Sequence, residues 1–395
     1  NLFGINLKKN FIYDLVRKVG LEQRHRDSLL QYYNLDNLWR DIQKIIKNKI
    51  SLINLAIEPI TCREIARYTL GMDFKNITKE PPMILNFKSK YDYLWKQKNG
   101  YLYNKEETLK NLKEFIKKEK QLSQKPKLAI SNLAWNKEED EQVLQLLKKY
   151  NINRVEIAPS HIWLNPTKVS LSQIKKYREF WNKSGIEIKT TTHFLSPYPE
   201  LKLFESTKTR EKALNFLKKM VKISSILGAN TMNFGSPKNR RRGNLSKKEA
   251  TDIAKDFFWE VAEECKKYGI QFAFEPNPTI YGTDFINKTK EAIALAKKVN
   301  HPNFGINIDL STMTENKEDY EKTIKMALPY AKHLHISEPG LTPIPNSTTD
   351  HKKAAEAIKN SGYKNFISIE MKLGDNINHL EQIEKTLEFI TKTHI

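Results

Sequence analysis

The chain has 395 residues, 39% of them hydrophobic, and 67 Lys and Arg against 46 Asp and Glu give a net charge of +21. That length allows two or more domains with sizeable cores. No apolar run approaches the roughly 20 residues of a membrane span, and two cysteines, Cys62 and Cys265, exclude a disulfide scaffold.

The two cysteines suit a reducing, cytoplasmic setting, and no membrane partner is expected. Lysine is spread along every helical segment beside abundant Asn and Ile, with no recognition motif, so the charge reads as solvated helix faces and no nucleic-acid partner is expected. The start shows no charged-then-apolar leader, and a chain opening on Asn1 is expected to continue upstream.

Residues 1–120 read as a mostly helical α/β subdomain. Leu38, Ile42 and Ile45 share one face of a helix over 36–46. Residues 50–56 form an apolar run of strand length. Thr61 and Glu64 make a capping box that opens a helix, and Asn104 with Glu107 signals the start of another over 109–118. The polar Lys/Gln-rich stretch that ends in Pro126 reads as a linker over 121–126, with its polar character beginning at Glu119.

From residue 127 to 395 the rhythm changes to apolar strands alternating with amphipathic helices. Strands are expected at 128–134, 154–158, 186–194, 231–235, 270–275, 305–310, 333–337 and 366–371. Helices are expected at 137–150, 208–227, 246–268, 284–299 and 377–391, with a capping box at Ser246 and Glu249. Eight strand–helix units in this length are the count and size of a (β/α)8 TIM barrel. An open doubly wound sheet would need fewer strands and a Gly-rich phosphate turn after the first.

Active sites of such barrels stand where strands end and the following loops begin. Those places hold Glu156, His193, the run Gly235–Arg240, Glu275, Asp309, His335 and Glu370. Glu275, Asp309, His335 and Glu370 come from four consecutive strands, so they converge once the barrel closes. Three carboxylates and an imidazole suit a divalent metal, Mn²⁺ or Mg²⁺ first and Co²⁺ or Zn²⁺ next.

Glu275 and Glu370 are the candidate catalytic acid and base. Glu156, His193, Lys238 and Arg240 are candidate substrate-binding residues. A lone strand-end carboxylate can equally be a helix cap, a lone His a bonded core residue, and Lys238 with Arg240 a solvated basic loop. His161 and Trp163 could pack on a sugar face or cover the barrel top. Asp350 reads as a helix N-cap.

The strings Val155-Glu-Ile-Ala-Pro159, Phe234-Gly-Ser-Pro-Lys-Asn-Arg240, Phe274-Glu-Pro276, His333-Leu-His335 and Ser368-Ile-Glu-Met371 resemble the xylose-isomerase-like barrel superfamily, in its sugar phosphate isomerase/epimerase branch. The resemblance implies that Glu275, Asp309, His335 and Glu370 bind the metal. It further implies that a sugar or sugar phosphate is isomerised or epimerised through an ene-diolate. Self-association is left open. Many relatives carry a His where this chain has Leu310-Ser-Thr-Met313, and ketose 3-epimerases an Arg where it has Gly340-Leu-Thr-Pro343.

Two other classes compete. An endonuclease IV-like nuclease would need further His ligands, and Thr312 stands at the place of one. A non-catalytic sugar-binding barrel would leave a carboxylate-rich mouth to repel itself.

The N-terminal strings Ile53-Asn-Leu-Ala-Ile-Glu-Pro-Ile-Thr61 and Gly100-Tyr-Leu-Tyr103, with Leu2-Phe-Gly4 and Leu7-Lys-Lys-Asn10, are similar to the substrate subdomain of an extended short-chain dehydrogenase, the NAD-dependent nucleotide-sugar epimerase/dehydratase family. No G-x-x-G-x-x-G turn occurs in residues 1–120. NAD would therefore enter only through an upstream domain of such a fusion.

Overall fold

Each apolar run of the C-terminal part finds a strand neighbour on both sides, and this closes the sheet. The computed structural model describes residues 1–4, 10–124, 127–346, 348–372, 374 and 378–394, with backbone alone for 118–124. The chain divides into two compact units, Asn1–Lys125 and Pro126–Ile395. The second unit holds β1 (Lys127–Ser131), β2 (Arg154–Ile157), β3 (Glu187–Thr191), β4 (Thr231–Phe234), β5 (Gln271–Phe274), β6 (Phe304–Asp309), β7 (Ala331–Ser337) and β8 (Phe366–Glu370). All neighbours are parallel and in sequential order, and β8 returns to β1 through Phe366 with Lys127 and Ile369 with Ile130.

Parallel strands covered by helices bury both faces. On the helix side, Phe258 of helix Lys247–Lys267 meets Phe234, Phe272 and Phe304 at ring-centroid distances of 5.4, 5.8 and 5.6 Å. Each such ring contributes roughly 1.5–3 kcal/mol by burial. At Gly305 the neighbouring chain comes so close that a Cβ would lie 2.2 Å from the Tyr330 carbonyl oxygen, so no other residue fits there without backbone movement.

The inner face is unlike that of most barrels, which fill with branched apolar side chains. Ser131, Glu156, Thr190, Asn307, His333, His335 and Ser368 are fully buried there, and Asn233 is 1% exposed. These residues recur at every second strand position, as the pleat requires.

In the first unit, helices Phe11–Arg17, Leu38–Lys47, Cys62–Leu70 and Lys105–Gln124 accompany two short strand pairs, Leu2–Phe3 with Tyr33–Asn34 and Leu29–Leu30 with Ile60–Thr61. The capping box at Thr61 and Glu64 forms. One core gathers Phe3, Phe11, Ile65 and Leu112, and a second gathers Tyr33, Ile57, Trp95 and Tyr103. The buried residue of helix Leu38–Lys47 is Asp41, whose carboxylate accepts from Tyr33 OH at 2.7 Å, Trp95 Nε1 at 3.0 Å and Tyr103 OH, while Leu38 and Ile45 are half-buried. A buried carboxylate needs such partners.

Several expectations are corrected. Residues 50–56 form no strand: pairing is confined to Ile57 with Tyr103 and the bonds beside it, and Leu52 is 81% exposed. The helix expected to end at 118 continues to Gln124, because the Lys/Glu/Gln run is made of good helix formers. The expected linker thus shrinks, and Lys125 and Pro126 lie outside the described residues. The helix expected from 284 begins at Thr289. Its would-be first turn is a loop, with Ile286 at φ 57°. The start of the last helix at 377, and Leu7-Lys-Lys of the N-terminal string, also lie outside the described residues.

Candidate active site

Four strands deliver the central cluster. β5 stops one residue before Glu275, β6 ends on Asp309, β7 carries His335 two residues before its end, and β8 ends on Glu370. His335 Nδ1 lies 3.1 Å from Glu370 Oε2 and 3.4 Å from Glu275 Oε2, and makes no hydrogen bond. Glu275, His335 and Glu370 offer ligand atoms all within 4.8 Å of one another. Asp309, expected as a fourth member, stands outside that group. One of its oxygens accepts from Ser337 Oγ and the other from Thr312 N and Oγ1, both at 2.8 Å.

The two glutamates are held differently. Glu275 Oε2 accepts from Asn233 Nδ2 at 2.7 Å and Asn307 Nδ2 at 2.8 Å, and its Oε1 from Asn277 Nδ2 at 2.7 Å. Burial works to raise its pKa, but His335 and the amide donors prevail and lower it. Among the described residues no amide donates to Glu370. Burial raises its pKa, more than the neighbouring His335 lowers it. Asp309 is likewise raised, by burial and then by Glu275.

Beneath the cluster His335 Nε2 meets Glu156 Oε2 at 3.1 Å, and His333 Nε2 meets the same oxygen at 3.1 Å. Burial alone would lower the His335 pKa, yet Glu156 and Glu370 hold it well above the usual value.

Above it opens a cavity of about 460 Å³, lined among others by His193, Lys238, Glu275, Asn277, Tyr281, Asp309, Ser311, Glu370 and Lys372. His193 reaches it from a left-handed backbone conformation, φ 60°, uncommon outside glycine. Burial, then Lys372 and His161, push its pKa down to about 4, so it presents a neutral ring at pH 7. Lys238 and Lys372 are exposed at the cavity.

Two expected substrate-binding residues do not face this cavity. Glu156 is fully buried and engaged with the two histidines. Arg240 is also fully buried, and its five N–H groups all go to protein oxygens: Nε to Gly235 O, Nη1 to Phe285 O and Ile286 O, Nη2 to Glu275 O and Asn277 Oδ1. No donor remains for a substrate anion, and burial lowers its pKa to about 9. Trp163 packs edge-on against Tyr177 at 5.7 Å, and His161 Nε2 meets the Trp135 carbonyl at 2.9 Å. Asp350 caps its helix, accepting from Lys353 N at 3.0 Å.

Residues not singled out from sequence include Asn233, Asn277, Asn307, Tyr281 and Lys372. Asn307 could have been found two residues before Asp309, on the same strand face.

A closed parallel barrel whose ionisable groups gather at the carboxyl ends of its strands defines a (β/α)8 protein of the enzyme-bearing kind. The chain belongs to the xylose isomerase-like TIM barrel family, whose model matches residues 128–393. It is 25% identical over 221 residues to a probable ketose 3-epimerase of Synechocystis sp., covering 54% of this chain and 72% of that protein. D-psicose 3-epimerase with D-tagatose, from Clostridium cellulolyticum H10, aligns over 68% of this chain and 99% of its own with TM-score 0.57 at 18% identity. The IOLI protein with a binding zinc atom aligns over 68% and 98% with TM-score 0.54 at 16% identity. At these identities the two structures attest the fold alone.

Proposed function

We propose that the chain is a divalent-metal-dependent epimerase or isomerase of a sugar or sugar phosphate. The observation that carries this reading is the fully buried His335 Nδ1, which among the described residues makes no hydrogen bond and is aimed between Glu275 and Glu370 at the foot of an open cavity. An imidazole nitrogen flanked by two carboxylates, with a third nearby on Asp309, fits a borderline-hard divalent cation that would take the place of the ring's proton. The epimerase named among the relatives supports the same chemistry. Glu275, His335 and Glu370 would hold the ion, with Asp309 completing the set.

When bound, the cation supplies polarisation of a substrate carbonyl, which acidifies the neighbouring C–H. Glu275 is fixed by three amide donors and is the less mobile carboxylate. Glu370, free of such donors, takes the proton beside the carbonyl to give an ene-diolate. Return of a proton to the other face inverts the carbon; return to the adjacent carbon isomerises. His193 donates to or accepts from substrate hydroxyls, while Lys238 and Lys372 offer charge to a phosphate.

Proton exchange tests the assignment. Glu370→Gln keeps shape and a ligand oxygen but cannot accept a proton. It should bind metal and lose at least roughly a hundredfold of turnover, the usual worth of a general base. Solvent deuterium should also fail to enter the substrate. Wild-type exchange by this variant would remove Glu370 from the role.

For residues 1–120 we infer a substrate-side subdomain of the extended short-chain dehydrogenase type. The capped helix after Thr61 and the pairing of Ile57 with Tyr103 support it. The chain as given should not bind NAD, since residues 1–120 hold no dinucleotide turn; tight NAD binding would contradict this.

A further inference from the structure

We infer that Glu156 is a positioning residue for the metal site: it holds His335 as the tautomer that carries its proton on Nε2 and leaves Nδ1 free for the metal. The inference rests on the metal-site reading above. An imidazole ligand has two chemically distinct nitrogens, and the hydrogen bond made by one decides which is left to bind the metal. Here Nε2 points down to Glu156 Oε2 at 3.1 Å, while Nδ1 points up to Glu275 and Glu370. A carboxylate only accepts, so it selects the Nε2–H form.

The arrangement is braced from a second direction. His333, two residues earlier on β7 and on the same face, meets the same oxygen at 3.1 Å, and its ring stands edge-on to His335 with 83° between planes. Two converging N–H donors fix the carboxylate, and the carboxylate fixes the ring. A merely structural layer at this depth would be met by apolar side chains, since a buried carboxylate with two imidazole donors is often no more stable than a well-packed hydrocarbon of the same volume. Glu156 is reached by no solvent and lines no part of the cavity, so its influence on the reaction must pass through His335.

Removing such a partner typically costs 10- to 100-fold in metal affinity. Glu156→Gln, with its carbonyl oxygen in place of Oε2, preserves both bonds without the charge and should weaken Mn²⁺ binding by about tenfold, the lower end of that range. Glu156→Leu lets the ring turn or change tautomer and should weaken it by about a hundredfold, the upper end.

Mn²⁺ titration calorimetry on the full chain reads these changes. Nitrogen-15 NMR of the Zn²⁺-loaded wild type reads the tautomer directly, without relying on any variant to fold. It should show His335 ligating through Nδ1, with a hydrogen-bonded proton on Nε2. If the wild type binds neither Mn²⁺ nor Zn²⁺, the metal-site reading fails. If it binds them but ligates through Nε2, or if Glu156→Leu folds and binds Mn²⁺ as the wild type does, the role of Glu156 is overturned.

Discussion

Arg240 offers the sharpest separation between a substrate anchor and a structural tie. Replacing it with Met keeps most of the stem volume and removes the guanidinium. The five oxygens it serves lie in two loops: Gly235 after β4, and Glu275, Asn277, Phe285 and Ile286 along the connection from β5 to helix Thr289–Val299. A hydrogen bond to a charged group is worth about 1.5–3 kcal/mol. The five do not add, since the loops relax and water reaches some of the acceptors. Losing one partner of a buried charged network costs about 3–5 kcal/mol.

With about 4 kcal/mol lost and a melting shift of about 2–4 °C for each kcal/mol in a unit of this size, Arg240→Met should melt about 8–16 °C lower. Arg240→Lys should fall between, since an ammonium has three donors for five acceptors. Because Glu275 is among the residues tied, kcat should fall as well, with little change in KM. Thermal unfolding by circular dichroism and steady-state kinetics check both. A variant with wild-type melting and a raised KM for an anionic substrate would refute the structural account and restore Arg240 as an anchor.

The metal makes its own prediction: about one divalent ion per chain by ligand count, with EDTA abolishing turnover. Metal at about a hundred times its Kd should stabilise the fold by about 2.7 kcal/mol, read as a rise in melting temperature; full activity in excess chelator would contradict the site. Asp140 is 7% exposed and bonded to Trp135 Nε1, and burial raises its pKa from 3.8 to about 6. The folded state therefore binds the extra proton between those values, and stability falls as pH rises through about 4 to 6. At about 1.4 kcal/mol per pH unit the cost above pH 6 is about 3 kcal/mol. Asp140→Asn, which retains an acceptor for Trp135, should recover part of it at pH 7 and none at pH 3 in urea titrations. Lys238→Ala should raise KM for a phosphorylated substrate more than it lowers kcat, because a phosphate far from the reacting carbon is bound alike in ground and transition states.

The barrel was legible because parallel strands buried on both faces leave uninterrupted apolar runs, and the eight runs matched eight strands to within a few residues. Helix Leu171–Lys183 was harder to see, since its buried residues are only Ile174, Tyr177 and Trp181 among many charges. The strand-end carboxylates were legible from position alone, as period-two alternation carries Glu275 and Glu370 to one face. The depth of Glu156 was not, because a residue within β2 and one beyond its end read alike in a short apolar string. Arg240 was misread for another reason: its partners are mostly backbone carbonyls up to 46 residues away, and no sequence pattern marks a carbonyl as free.

Asp309 has a second duty. Besides facing the site, it is the N-cap of helix Leu310–Glu315, accepting from Thr312 N. In the proposed site, chemistry and local folding thus meet in one side chain, which few substitutions can separate. A lineage that abandoned catalysis would still be held, by about 1 kcal/mol of capping energy, to Asp, Asn, Ser or Thr at this position. Asn there, keeping the cap while surrendering the charge, would be the natural fossil of a barrel that had stopped working as an enzyme.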